Sequence, residues 1–271
     1  PLAFSLSVRE AGDTVLALIE EASLAVELSE GRAAVDLSAD GRLLYVSTGD
    51  NSTPFDEKGV KFASHGFSPT DDRPGHEPFD ARRSSANTND LRGKILRIRV
   101  RPDGTYEIPD GNLFPPGTAN TRPEIYVMGN RNPYRVSVDQ KSGFLYWGEI
   151  GPDAADDTLA TRGPRGYDEI NQARSAGNFG WPLFVGNNYA YRRWNYETGA
   201  SGAAYDQAAP QNESRNTTGL RELPPARGAT RATRNLGRRW ILCETCPRFD
   251  AHEHSARQRP PRLAAAGDAH D

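Results

Sequence analysis

Apolar positions recur along much of this chain with a period of two. In "KILRIRV" (94 to 100), Leu96, Ile98 and Val100 alternate with Arg97 and Arg99, the pattern of a strand with one buried face. Ile125 to Met128 is a short, wholly apolar run and predicts another strand. "VDLSADGRLLYVSTGDN" (35 to 51) gives a glycine turn, a strand and a polar exit, and "VDQKSGFLYWGEIGPD" (138 to 153) repeats that layout with a one-residue difference. Both read Val-Asp, a Gly turn, Leu-Tyr, then Gly and Asp, which predicts two similar supersecondary units. The expected fold class is all-β, and radially repeated small sheets, a β-propeller, are the economical way to arrange such units.

Other stretches lack this rhythm. "DTVLALIEEASLAVEL" fits an amphipathic helix or a pair of strands equally. Residues 52 to 92 form a loop long enough to be functional or disordered, and on a propeller it would lie across one end of the channel. Residues 101 to 123 are dense in turn signals, with Asp103-Gly104 and Asp110-Gly111. Beyond Pro225 the chain has no lysine, many arginines and no alternation. The expected division is an atypical segment over 1–32, propeller blades over 33–225, and an Arg-rich tail over 226–271 outside the fold. That tail holds Cys243, Cys246, His252 and His254 as C-x2-C-x5-H-x-H. The histidines are closer together than in zinc fingers, so a tail without metal is the preferred reading.

Composition narrows the classes. With 36% hydrophobic and 25% charged residues, 26 Gly and 20 Pro among 271 residues, the chain suits a turn-rich β protein better than a helical bundle. A net charge of -3 argues against general nucleic-acid binding, which needs a clustered cationic excess. No apolar run approaches the roughly 18 residues of a membrane span, and residues 1 to 30 lack the features of a secretory signal.

Three polar corners carry candidate chemistry. Arg131 offers a planar cation able to grip a carboxylate or another electron-rich oxygen, Asn132 offers a donor and an acceptor, and Pro133 fixes the corner. The plainer alternative pairs Arg131 with a neighbouring carboxylate. Gly151 and Pro152 follow a strand, where backbone carbonyls can point at a hard cation, although an ordinary turn explains one Gly-Pro as well. Asp168 and Glu169 precede a Gly-rich turn, as calcium ligands or as solvated turn residues.

In their order along the chain, "MGNRNPYRV", "LYWGEIGPD", "GYDEIN" and "GNFGWP", preceded by "NDLRGKILRI" and "DGTYEIPDGNLFP", closely resemble the soluble quinoprotein glucose/sorbosone dehydrogenases. The resemblance covers roughly residues 41 to 225. It implies a six-bladed β-propeller of four-stranded sheets, pyrroloquinoline quinone and calcium as cofactors, a sugar substrate oxidised by hydride transfer, and a periplasmic or secreted location. Arg131 and Asn132 match the pair that contacts the quinone. The carbonyls of Gly151 and Pro152 match ligands of the calcium that polarises it, with Gly163-Pro164 as the competing pair. Glu169 and the Phe179 carbonyl match a second, structural calcium site. Glu30 stands where the family has its catalytic histidine, so no catalytic base is assigned, and His65 and His76 are expected to be solvated loop residues. Both ends depart from the family, and the chain is expected to be a truncated or frame-shifted member. A non-catalytic calcium-binding propeller module for carbohydrate or protein binding is the alternative function, and a sugar-lactone hydrolase is a third reading.

Overall fold

The computed structural model describes residues 33–55, 67–101 and 105–229, together with the strand pieces 231–234 and 241–242. Glu30, His65, Cys243, Cys246, His252 and His254 lie outside these residues. Among the described residues there is no α-helix, and none of the helical turns is long and apolar enough to cross a membrane.

The protein is all-β, built from several small sheets. In the first, β1 (Ala33–Leu37), β2 (Leu43–Thr48), β3 (Lys94–Val100) and β5 (Ile125–Met128) run antiparallel in that order. β4 (Tyr106–Glu107) pairs with β3, and β9 (Gly177–Asn178) lies parallel to β5. In the second, β6 (Pro133–Val138), β7 (Leu145–Glu149), β8 (Tyr167–Ala173) and β14 (Arg231–Arg234) are successive antiparallel neighbours, with β15 (Ile241–Leu242) beyond. β14 and β15 come from the stretch whose composition sets it apart as a tail. Two hairpins complete the set, β10 (Phe184–Val185) with β11 (Tyr189–Ala190) and β12 (Arg192–Asn195) with β13 (Ala200–Ala204).

The two repeated sequences fold alike. Each becomes a hairpin closed by a glycine in the left-handed region, Gly41 at φ 67° between β1 and β2 and Gly143 at φ 72° between β6 and β7, a conformation that costs glycine little. The turns close in the same way, Ser38 N–H donating to Leu43 O in one and Asp139 N–H to Phe144 O in the other, both at 2.9 Å. The sheets meet along β1 and β6. Val138 N–H donates to Asp36 Oδ2 at 2.7 Å and Ser47 Oγ donates to Pro133 O at 2.9 Å.

Strand alternation sorts the apolar side chains into two cores. Leu44, Val46, Leu96, Ile98 and Met128 join Phe67, Trp181 and Tyr191 on one face of the first sheet. Tyr45, Ile95 and Val127 face the other way and pack against Val138, Leu145 and Trp147 of the second sheet. β3 is therefore covered on both sides rather than half-buried. Arg97 lies 4.3 Å over the Tyr126 ring, so its stem covers apolar surface while its head bonds Asn112 Oδ1.

The described part of the long loop is packed. Residues 67–92 include two 3-10 turns, Glu77–Phe79 and Ala81–Arg83, and bury Ala81, Ser84, Ser85 and Thr88. His76 departs from the expected solvated position: it is half-buried, with Nδ1 2.9 Å from Asp71 Oδ2 and its ring tilted against Phe79.

Candidate functional site

The passage from the first sheet to the second is the corner Gly129 to Asn132. Gly129 has φ 80°, and a Cβ there would meet Gly180 N at 2.6 Å, so the corner is both left-handed and crowded. The two repeated hairpins grip it from opposite sides. Asp50 N–H, from the exit of β2, donates to Arg131 O at 2.8 Å, and Ile150 N–H, from the exit of β7, donates to Asn132 O at 3.0 Å.

Beneath the corner lies Glu149. Its Oε1 accepts the backbone N–H groups of both Arg131 and Asn132 at 2.6 Å. Its Oε2 accepts Trp147 Nε1–H at 3.3 Å. The Arg131 guanidinium donates from Nη1 to Ile150 O at 3.2 Å. Arg131 Nε is buried and has no partner among the described residues, a condition that calls for an explanation in a folded protein.

Arg131 separates two spaces. On its outer side is an open cleft of about 590 Å³ whose walls include Asp50, Ser52, Pro78, Arg131, Asn132 and Asp153. On its inner side is a cavity of about 10 Å³, lined among others by Arg131, Glu149, Gly151, Glu169 and Phe179, large enough for about one water-sized body. A further cleft of about 470 Å³ near Arg73, Arg193 and Tyr205 lies apart from Arg131. There Arg73 pairs with Asp71, Arg193 with Glu213 and Arg215 with Asp72.

The inner cavity brings two carboxyl groups together. Glu149 and Glu169 sit directly opposite each other on β7 and β8, a like-charge juxtaposition that is unfavourable without a counter-ion. Burial, and then the Glu169 charge, push the Glu149 carboxyl well above the usual range, while the two backbone N–H bonds oppose the shift. Burial pushes Glu169 up to about 7 although Asn171 Nδ2 and Gly186 N both donate to it. Asp168 points elsewhere, accepting Gly151 N–H at 3.0 Å, and burial raises it too.

Of the residues expected at a cofactor and calcium site, Arg131 and Asn132 line the cleft, and Arg131, Gly151, Glu169 and Phe179 line the cavity. Pro152 does not line the cavity. Its carbonyl accepts Ala154 N–H at 2.9 Å and abuts Gly166, where a Cβ would collide with it. The stretch 154–166 folds as a closed excursion between β7 and β8, tied by Gly166 N–H to Ala154 O and by Arg165 to Asp157. Gly163 lies at its far end, against Tyr191.

Glu149 and Asp50 are the site residues that pattern reading passed over. Glu149 had a signal: Leu145, Trp147 and Glu149 alternate on the buried face of β7, and an acid in an apolar register is out of place there. Asp50 follows β2 as an ordinary polar exit. It is nonetheless buried, and its Oδ2 accepts Trp181 Nε1–H at 2.7 Å and Ser52 Oγ–H at 2.6 Å.

Residues 29–214 match the family model described as Glucose / Sorbosone dehydrogenase. The chain is 31% identical over 196 residues to Aldose sugar dehydrogenase YliI of Escherichia coli, an alignment covering 68% of this chain and 43% of that protein. It is 27% identical over 163 residues to Quinoprotein glucose dehydrogenase B of Acinetobacter calcoaceticus, covering 55% of this chain and 30% of that one. The crystal structure of the soluble Aldose sugar dehydrogenase from Escherichia coli in the apo-form matches at 25% identity with a TM-score of 0.35, over 58% of this chain and 33% of that one. The chain thus spans less than half the length of these curated relatives. A model matched across more than half of its residues settles the kinship: this chain belongs to the glucose/sorbosone dehydrogenase family.

Proposed function

We propose that this chain carries the cofactor-gripping corner of a periplasmic or secreted sugar oxidoreductase, one that oxidises an aldose hydroxyl with pyrroloquinoline quinone and calcium. Its two larger sheets, each with four strands in antiparallel succession and meeting along β1 and β6, would be neighbouring blades of a six-bladed propeller. The observation that carries the functional reading is Arg131, whose buried Nε lacks an acceptor among the described residues at the wall between an open cleft and a cavity lined by two carboxyl groups.

The residues fit the cofactors. A flat oxidised ring bearing carboxylates and carbonyl oxygens supplies acceptors of the kind the guanidinium lacks, and Asn132 adds an amide beside it. Gly151, proposed for the calcium beside the quinone, and Glu169 and Phe179, proposed for a structural calcium, line one cavity, and a carboxyl and backbone carbonyls are oxygen donors of the kind calcium takes. Pro152, whose carbonyl accepts Ala154 N–H and abuts Gly166, lies outside this cavity and is not counted in its donor set.

The quinone, when bound, supplies the electrophilic carbonyl that accepts a hydride from the sugar carbon. The chain's own contribution is positional and electrostatic. Arg131 places a permanent positive charge where negative charge grows, and Asn132 orients the ring edge. Asp50, fixed by Ser52 and Trp181, lines the same cleft beside the corner. Burial of Glu149 behind the corner keeps water from competing for the backbone N–H groups.

The test is a titration of purified protein with pyrroloquinoline quinone, with and without calcium, followed through the quinone's visible band and by aldose-dependent reduction of an artificial dye. Saturable, calcium-dependent binding is expected. A quinone spectrum unchanged by excess protein and calcium would overturn the proposal.

A further inference from the structure

We propose that Glu149 is a positioning residue: its buried carboxyl group fixes the backbone of Arg131 and Asn132 so that both side chains face the cleft. This inference rests on the functional reading above.

The geometry is unusually specific for a structural carboxylate. One oxygen receives two consecutive backbone N–H groups, each at 2.6 Å, so both peptide planes of the corner are set by a single atom, the arrangement of a backbone anion nest. The other oxygen is held by Trp147 Nε1. Trp147 is itself buried and packs edge-on against Phe179, with ring centroids 4.7 Å apart. A rigid chain therefore runs from the core between the sheets, through Trp147 and Glu149, to the corner. From the front, Ile150 O takes the Arg131 guanidinium at 3.2 Å.

Folding alone gives no reason for an acid here. The β7 register places Leu145 and Trp147 on the same buried face, and Glu149 stands opposite a second buried carboxyl, Glu169. Desolvating such a group opposes folding. What the acid provides, and a leucine of similar bulk does not, is an acceptor for the two corner N–H groups.

Three variants test this. Glu149→Gln keeps an oxygen for both corner N–H groups, at the cost of setting its amide NH2, a donor, against Trp147 Nε1–H; because the corner keeps its acceptor, it is expected to bind pyrroloquinoline quinone within about 3-fold of the wild type. Glu149→Leu keeps the volume but loses the acceptor, and a loss of about 30-fold is expected. Arg131→Ala combined with Glu149→Leu is expected to bind far less weakly than the product of the two single losses, because Glu149 acts through Arg131 and, beyond it, only through Asn132. Independent, multiplying losses in the double variant, or wild-type affinity in a folded Glu149→Leu protein, would overturn the inference.

Backbone amide exchange supplies a readout that needs no cofactor. Arg131 and Asn132 N–H are expected to be protected in the wild type and in Glu149→Gln, and to exchange at least about 10-fold faster in Glu149→Leu. Unchanged exchange in Glu149→Leu would sink the inference by itself. If the wild type binds no quinone while the exchange result holds, the functional reading fails and the anchoring role stands. If Glu149→Leu does not fold, slow exchange in Glu149→Gln is the supporting outcome, and fast exchange there is the contrary one.

Discussion

Two cations sit close together in this fold and are treated in opposite ways. Lys94, at the start of β3, is fully buried and donates from Nζ to the carbonyls of Ser84 at 2.8 Å, Ser85 at 2.9 Å and Arg92 at 2.8 Å. Burial pulls its pKa down to about 7, yet three carbonyl acceptors are all served only by the ammonium form, which has three N–H bonds. Arg131, three residues beyond Met128, the β5 partner of Lys94, has one bond from Nη1 and a buried Nε with none among the described residues. A saturated buried cation is a staple of the fold. An unsaturated one at a cleft wall leaves a donor open to the proposed cofactor.

The largest expected effect comes from removing the staple. Lys94→Met strands three buried carbonyls and should lower unfolding stability by about 3–5 kcal/mol. Denaturant unfolding checks this, with an apparent Tm falling by roughly 10 °C. A loss below about 1 kcal/mol would mean that the three carbonyls find water, and the contrast with Arg131 would lose its basis.

The two sheets also differ in how they hold acids. Asp50, leaving β2, has donors on both oxygens, from Ser52 N–H and from Ser52 Oγ and Trp181 Nε1. Glu149 and Glu169, at the end of β7 and the start of β8, face each other, and both are pushed upward. Glu169 moves from 4.5 to about 7 on folding. Between those values the folded state binds more protons than the unfolded one, so stability should fall as pH rises through this window. The full contribution is present below the unfolded value and is gone above about 7. Its upper size is about 3 kcal/mol, from the linkage between proton affinity and folding. Urea unfolding in chelator across that range measures it. Glu169→Gln should flatten the profile, and calcium should restore stability at the alkaline end.

Arg131→Ala sharpens the first comparison from the other side. It should weaken quinone binding by about 30- to 100-fold, the worth of a charged hydrogen bond of about 2–3 kcal/mol, while leaving unfolding stability within about 1 kcal/mol of wild type. Arg131→Lys should not rescue binding, because a point charge lacks the planar fork. A large stability loss with unchanged affinity would move Arg131 into the same class as Lys94.

How much of this was legible depends on the range of the forces involved. Strands β3 and β5, the hairpins with Gly41 and Gly143, and the Arg131-Asn132-Pro133 corner are set by local pattern and backbone sterics, and a linear reading finds them. That reading could not show the exits of the two repeats converging on one corner, because Asp50 and Ile150 reach Arg131 and Asn132 only through the meeting of β1 and β6. Nor could it show that the far side of β3 is covered, since Tyr126 and the second sheet arrive from later in the chain. Glu149 was readable in hindsight as an acid in an apolar register. The packing of residues 67–92 was not, because Asp80 is bonded by Ser214 and Asn216, far away in sequence.

The smallest expected effect tests the principle at a neutral group. Tyr191 is fully buried, its ring set edge-on to Phe67 and Trp181 at centroid distances of 6.0 and 6.1 Å, and its hydroxyl has no partner among the described residues. Burial raises that hydroxyl's pKa well above the ordinary value, while the Arg131 charge works the other way and that of Glu169 adds to the rise. If the hydroxyl is left open to a ligand, as Arg131 Nε is, Tyr191→Phe keeps the ring packing and discards an unpaired polar atom. The protein without ligands should then gain up to about 1 kcal/mol, and calcium or quinone affinity should drop by a few-fold. If the hydroxyl is instead a staple like Lys94, the same substitution should cost about 1 kcal/mol or more and leave affinity untouched. Parallel unfolding and ligand titrations on this one variant separate the two cases, since each predicts the opposite sign in stability.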